Sequence, residues 1–246
     1  MNNSVGKAIR ILELLASSEK PLTLTQISDE LSLAKSTAHG LLRELVAATF
    51  LELHEPAAYS IGLRTFEVGA AYLRRTGAVG VIAPELVGLT RTLNVTTHYA
   101  VLDGSDAVYL CKEDPPGLGV QLASSIGARL PADVTAVGKA CLAWLHPDAV
   151  AEHVHPPSAT NGRRGVPAQL TAELMAVKAR GFATDLGEAA AGIECVAAPV
   201  FDISGPHGAI GVSYLLGLNK QTDEVAEKVI AVAARVTSLL GGVVPR

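Results

Sequence analysis

Ser36, His39 and Arg43 recur at intervals of three and four residues, which gathers side chains on one side of a helix. Lys35 stands at the flank of that face. Hydroxyl, imidazole, ammonium and guanidinium groups so arranged can bond to phosphate oxygens or to base edges. A second stretch, Thr135-Ala136-Val137-Gly138, opens a helical pattern that runs on through Lys139, Cys141 and Trp144. A helix start offers N–H groups without intrahelical acceptors and the positive end of a dipole, and small residues there let a carboxylate approach. His146, His153 and His155 invite a metal reading. They straddle a proline in the polar stretch LHPDAVAEHVHPP, with no obvious fourth ligand, so a solvated loop or short helix is expected and no metal site. Cys195, in GIECV, has no neighbouring base or cation to form a thiolate, and Glu194 disfavours one. The chain has neither a phosphate-binding loop nor a GxSxG elbow, and no cofactor is expected.

The elements that must carry the first group are legible around it. Ile27 and Leu31 lie four apart on one short helix, and Ala38, Leu41, Leu42 and Leu45 line the inner face of the next. Ser32-Leu33-Ala34 must turn the chain between them. An amphipathic helix carrying Val5, Ala8, Leu12 and Leu15 comes before, ended by SSEKP. Phe50–Leu53 and Ala58–Ile61 follow as short strands about His54-Glu55-Pro56-Ala57, closed by Gly62. Helix, helix, tight turn, helix, hairpin is the winged helix-turn-helix order. Its third helix is placed for a major groove and its hairpin for backbone or minor groove. The plainer alternative, a helical hairpin whose solvated face carries two cations, leaves the wing unexplained.

Leu63, Phe66, Ala70 and Leu73 mark one face of a further helix reaching about Arg75, a linker suited to pairing with its own copy. Beyond Gly77, the periods predict helices over Pro84–Leu93, Val134–Leu145, Leu170–Ala179 and Glu224–Leu240. Strands are expected over Val95–Leu102, Ala107–Lys112, Ile193–Phe201 and Gly208–Leu215, giving an α+β domain with a mainly antiparallel sheet. The expected division is residues 1–62 for the winged helix, 63–76 for the linker helix and 77–246 for the α+β domain.

Composition narrows the classes. Of 246 residues, 49% are apolar and 18% charged, which fits packed cores and excludes a disordered chain. Lys7, Arg10 and Glu13 interrupt the first apolar pattern, so it is not a signal peptide, and no apolar run approaches the roughly 20 residues of a membrane span. Three scattered cysteines without a CxxC fit a reduced, cytoplasmic protein. The net charge is −4, yet residues 1–75 hold eight Lys and Arg against eight Asp and Glu. A neutral module can still meet DNA if its cations share a face.

The stretches LTQISDELSLAKSTAHGLLREL and YSIGLRTFEVGAAYL resemble the N-terminal domain of the isocitrate lyase regulator (IclR) family of bacterial transcription factors. RLPADVTAVGKACLAWL, RGFATDLGEAAAGIECVAAPVFD and GAIGVSY resemble successive signatures of that family's effector-binding domain, in one register over nearly the whole chain. The resemblance implies a winged helix-turn-helix, a linker helix and a GAF-like α/β domain that binds a small molecule. Its partners are then double-stranded operator DNA, an effector, and further copies of the chain in a dimer or dimer of dimers. The implied DNA-contacting set is Lys35, Ser36, Thr37, His39, Gly40 and Arg43. Ala136 and Val137 match backbone positions that hold the effector's acid group. Asp185, Cys195 and Ser213 match polar positions across the pocket, and Leu122, Leu130 and Ile193 match its apolar walls. Asp185 is expected to accept from a ligand hydroxyl, because it would repel a nearby carboxylate.

Three positions depart from the family pattern. Gly40 replaces a common arginine, Ala58 replaces a basic residue before the wing tyrosine, and Gly211 replaces a second pocket serine. The function so implied is that of a ligand-responsive repressor, not an enzyme, whose operator affinity changes when a small organic acid binds. The alternatives are an enzyme on a GAF-like scaffold with Cys195 as nucleophile, and an interaction module that has lost its DNA contacts through Gly40 and Ala58. Turnover of a substrate selects the first. Absence of salt-sensitive binding to upstream DNA selects the second.

Overall fold

The computed structural model describes residues 3–117, 124–155, 166–217 and 221–245. The chain forms two compact units, Met1–Thr76 and Gly77–Arg246.

In the first unit, the Asn3 side chain accepts from the Gly6 amide at 2.8 Å and starts α1 (Ser4–Ala16). Ile11 and Leu15 are its core residues, whereas Val5 is 67% exposed, so the buried stripe differs from the Val5-Ala8-Leu12-Leu15 face expected above. Apolar residues on several sides of this helix make the face ambiguous, and packing against Ile27, Leu42 and Leu51 decides it. β1 (Leu22–Thr23), which the sequence did not announce, leads into α2 (Leu24–Glu30). Thr23 and Gln26 close a reciprocal capping box at its start. α3 (Lys35–Ala47), β2 (Leu51–His54), β3 (Ala58–Ile61) and α4 (Leu63–Thr76) complete the unit, and the strands form an antiparallel sheet in the order β1-β3-β2.

The tight corner between α2 and α3 has a specific construction. Ser32 adopts a left-handed φ of 51°, the Leu33 amide reaches back to the Ser28 carbonyl at 2.9 Å, and the Ser32 amide to Asp29 at 3.2 Å. That is the Schellman arrangement. It recurs at the end of α3, where Thr49 has φ 60° and the Phe50 and Thr49 amides bond to Leu45 and Val46, each at 2.9 Å. A β-branched residue in this region carries steric strain that glycine lacks. Thr49→Gly is therefore expected to stabilise the unit by about 0.5–1 kcal/mol, the relief of strain exceeding the entropy that glycine adds to the unfolded chain. Hydrogen exchange of the α3 amides in the full chain measures it; slower exchange is expected, and faster exchange refutes the account.

The second unit begins with α5 (Ala78–Leu93), which starts six residues before the periodic stretch from Pro84. Then come β4 (Thr96–Asp103), β5 (Asp106–Glu113), β6 (Arg129–Pro131), α6 (Ala136–Leu142), α7 (Pro147–Val150), α8 (Ala168–Arg180), β7 (Ala183–Leu186), β8 (Ile193–Asp202), β9 (Gly205–Leu215) and α9 (Thr222–Leu239). Six antiparallel strands lie in the order β6-β5-β4-β9-β8-β7. The helix expected over Val134–Leu145 is shorter, and α7, β6 and β7 are additions to the elements read from the sequence.

Alternation along the strands sorts side chains by size. Tyr99, Val196, Val200, Ile210 and Val212 pack with Ile82, Leu86, Val229 and Val236 from α5 and α9. Ala100, Ala197 and Ala209 face the other way, toward α6 and α8. Small residues on that face let α6 lie close to the sheet, and every residue of the helix is buried. No helix among the described residues is long and apolar enough to cross a membrane.

Candidate functional sites

On α3, Lys35, Ser36, His39 and Arg43 are exposed, while Thr37 and Gly40 are half-buried. Ala38 and Leu42 are fully buried on the opposite side. Arg43 meets the carboxylate of Glu44 at 3.0 Å, with both side chains about 70% exposed. Such a surface pair is weak and readily exchanged for another anion. A Cβ built on Gly40 would meet nothing within 4 Å, so this unit's own packing does not require glycine there.

In the second unit, a cavity of about 30 Å³ lies where α6 approaches the sheet. Asp185 on β7 stands opposite Cys195 on β8, which stands opposite Ser213 on β9, so the three polar residues form one row across adjacent strands. Ala136 and Val137 in the first turn of α6 line the same cavity, as do Leu130 and Ile193. Leu122 lies outside the described residues. Thr135, from the stretch that opens α6, also lines it, as do His98, Tyr109, Ser124, Ala189 and Ala190, none of these five singled out from the sequence.

Each polar group has its own chemistry. Thr135 caps α6, its hydroxyl accepting from the Gly138 amide at 3.2 Å and donating to the Pro131 carbonyl at 3.0 Å. The amides of Ala136 and Val137 precede any intrahelical acceptor. Asp185 accepts from the amides of Glu188 at 2.7 Å and Ala189 at 3.3 Å through one carboxylate oxygen. It therefore also shapes the turn after β7, a role beyond ligand contact. Burial pushes its carboxyl above the usual range, opposed by those two amides and by the charge of Lys139. The Cys195 sulfur lies 3.1 Å from the Ser213 hydroxyl, and burial pushes the thiol up to about 12. A thiol so protonated is no nucleophile.

Gly138 answers to the fold. A Cβ there would fall 2.2 Å from the Ala132 carbonyl oxygen and 2.4 Å from its Cα, so its smallness serves backbone contact and not ligand access as the sequence suggests. Lys139 is fully buried and holds Glu173 of α8 and Glu188 of the turn after β7, each at 2.7 Å. The histidines near α7 are tethered singly. His155 meets Asp106 at 2.9 Å and His153 meets the Gly104 carbonyl. Among the described residues, no cluster of three or more His, Cys, Asp or Glu is placed to hold a metal ion.

Comparison with known proteins decides the family. Residues 70–238 match the bacterial transcriptional regulator IclR C-terminal domain, and residues 4–55 match the IclR helix-turn-helix domain. The chain belongs to the IclR family. The transcriptional repressor IclR of Escherichia coli K12 is 29% identical to it, over 97% of this chain and 90% of that one. The HTH-type transcriptional regulator BhcR of Paracoccus denitrificans is 32% identical, over 85% of this chain and 76% of that one. Among solved structures, an IclR homolog from Microbacterium hydrocarbonoxydans complexed with 4-hydroxybenzoate superposes with a TM-score of 0.83 at 22% identity, covering 97% and 99% of the two chains. Thermotoga maritima IclR gives a TM-score of 0.77 at 24% identity, covering 98% and 100%. As an IclR-family member the protein is a DNA-binding transcriptional regulator. The family is one of regulators and not of enzymes, and the Cys195 enzyme alternative finds no support.

Proposed function

We propose that this IclR-family regulator is a cytoplasmic repressor that binds a small organic acid, bearing a hydroxyl or keto group, in the cavity at the start of α6. The observation that carries the reading is the convergence of Ala136, Val137, Asp185, Cys195 and Ser213 on one cavity walled by Leu130 and Ile193. A few polar groups in an apolar surround suit a small polar ligand. The acid group sits against the Ala136 and Val137 amides. The complex of the Microbacterium hydrocarbonoxydans homolog with 4-hydroxybenzoate, a hydroxy acid, supports the same class. Thermal-shift screening of hydroxy and keto acids, followed by gel shifts of the upstream intergenic DNA with each hit, tests the reading. If no acid both stabilises the protein and changes operator affinity, it fails.

Operator contact is assigned to Lys35, Ser36, Thr37, His39, Gly40 and Arg43. Arg43→Ala is expected to weaken operator binding by ~1–3 kcal/mol if the guanidinium reads a base. Unchanged affinity in a folded variant removes Arg43 from the interface. Because residues 1–75 of each copy are electrically neutral overall, affinity depends on two or four copies acting together. The residues at 63–76 form the linker, and Leu63 and Phe66, 66% and 68% exposed, offer the apolar face for a second copy. Phe66→Asp is expected to lower both dimerisation, read by sedimentation, and operator binding, read by gel shift. A monomeric variant with normal DNA affinity refutes the assembly.

A further inference from the structure

We propose that His98 is the residue through which the cavity selects an oxygen substituent, hydroxyl or carbonyl, on its acid ligand, and that Gly211 is present to make room for the imidazole. The inference rests on the cavity being the effector site. His98 sits in the middle of the sheet on β4 and is 1% exposed, yet its Nδ1 finds no hydrogen-bond partner among the described residues. The ring borders the cavity and meets Tyr109 edge-on, with centroids 5.1 Å apart. A buried polar atom without a partner costs free energy, and native structures seldom leave one so. Nδ1 itself has almost no accessible surface, so a ligand atom in the cavity that the ring borders supplies the missing bond after a small turn of the ring.

The neighbouring strand is built around this ring. His98 pairs in register with Gly211 of β9. A Cβ at 211 would lie 2.5 Å from the His98 Nε2 and 2.9 Å from Val137 Cγ1. Neither group can withdraw cheaply, since both are buried in the packed layer between α6 and the sheet. A side chain at 211 therefore forces the His98 ring or Val137 out of its present place.

The ring's charge state sets what it recognises. Burial holds the imidazole neutral, with its pKa lowered to about 3; Lys112 adds to the lowering and Asp114 opposes it. Asp185, Cys195 and Tyr109 border the same cavity, and burial favours the protonated form of each. A neutral imidazole has one N–H to give and one lone pair to accept with. A hydroxyl can meet either one, whereas a carbonyl oxygen can use only the first. Among the described residues that line this wall, a second carboxylate would meet no cation. The acid group belongs at the α6 end, and the oxygen substituent at His98.

Two measurements on the full-length protein test this. In the first, calorimetry compares 4-hydroxybenzoate with benzoate, and lactate with propionate. The wild type is expected to prefer the hydroxylated member of at least one pair by about tenfold, the worth of one well-made hydrogen bond. His98→Phe keeps a ring but no nitrogen and should bring that ratio to near one, while His98→Asn, with a donor and an acceptor, should retain part of it. Should His98→Phe fail to fold, His98→Ala carries the same comparison. A folded variant that lacks the imidazole and discriminates as the wild type does overturns the inference while leaving the effector site standing. Binding of none of the four acids by the wild type overturns the effector reading for this class, and the inference with it. The second measurement needs no ligand. Gly211→Ser alone should lower Tm, and Gly211→Ser with His98→Ala should recover most of the loss. No recovery, or no loss in the first place, overturns the pairing of the two residues.

Discussion

Lys139→Ala is expected to cost the second unit about 3–5 kcal/mol, the typical result of removing one member of a buried ion pair. The Lys139 side chain has no exposed surface, whereas its partners Glu173 and Glu188 keep 28% and 44% of theirs. The lysine is the desolvated partner, and both of its ion pairs are short. Removing it opens a void beneath α6 and leaves two carboxylates facing each other without a cation. Lys139→Met, which refills the stem but not the charge, should lose less. Adding Glu173→Gln and Glu188→Gln to Lys139→Met should recover part of the remainder. Urea unfolding of the four proteins at neutral pH checks the order. A loss below 1 kcal/mol in Lys139→Ala would show that the carboxylates turn to water and that the ion triad contributes little.

Acid is expected to destabilise the protein through His98. In the folded chain the imidazole stays neutral until about pH 3, against an ordinary value of 6.5. Below pH 6.5 the unfolded chain takes up a proton that the folded one refuses, so stability falls as pH falls from 6.5 toward 3. The gap corresponds to about 5 kcal/mol at its acid end, and about 3 kcal/mol by pH 4.5. Carboxylates also titrate in this range. Asp185, whose carboxyl burial raises, takes up its proton more readily folded than unfolded and acts in the opposite sense. His98→Asn has no imidazole and isolates the effect. The difference in stability between pH 7 and pH 4.5 should be smaller in the variant by about 3 kcal/mol, read from urea midpoints. An equal pH dependence in the two proteins would mean the ring charges without resistance.

The winged helix was legible because its faces are divided cleanly. Ala38 and Leu42 are buried and Ser36, His39 and Arg43 exposed, as the helical period requires. The cavity was half legible. Asp185, Cys195 and Ser213 stand in stretches that resemble a family, and their strands bring them into one row. His98 was not read, because β4 is buried on both faces from Thr96 to Ala100. A strand covered on both sides has no polar-apolar alternation to betray which face a residue takes. Lys139 was read only as part of a helical run. Its partners lie 34 and 49 residues away, and nothing local distinguishes a buried lysine from a solvated one. Gly138 was assigned to the ligand for a similar reason, since its close neighbour is the backbone of Ala132, which only the packed structure brings there.

The cavity's volume of about 30 Å³ sets a threshold. That is room for one or two waters, and an acid the size of lactate needs more. If an acid of that size enters here, the wall to which Ala189, Ala190, Ile193 and Val137 contribute has to give way, and the work of opening it is subtracted from the affinity the contacts supply. Such a pocket would act as a preloaded spring. Its stiffness would fix how much metabolite must accumulate before the wall yields, and side chains that never touch the ligand would tune that concentration by packing the wall more or less tightly.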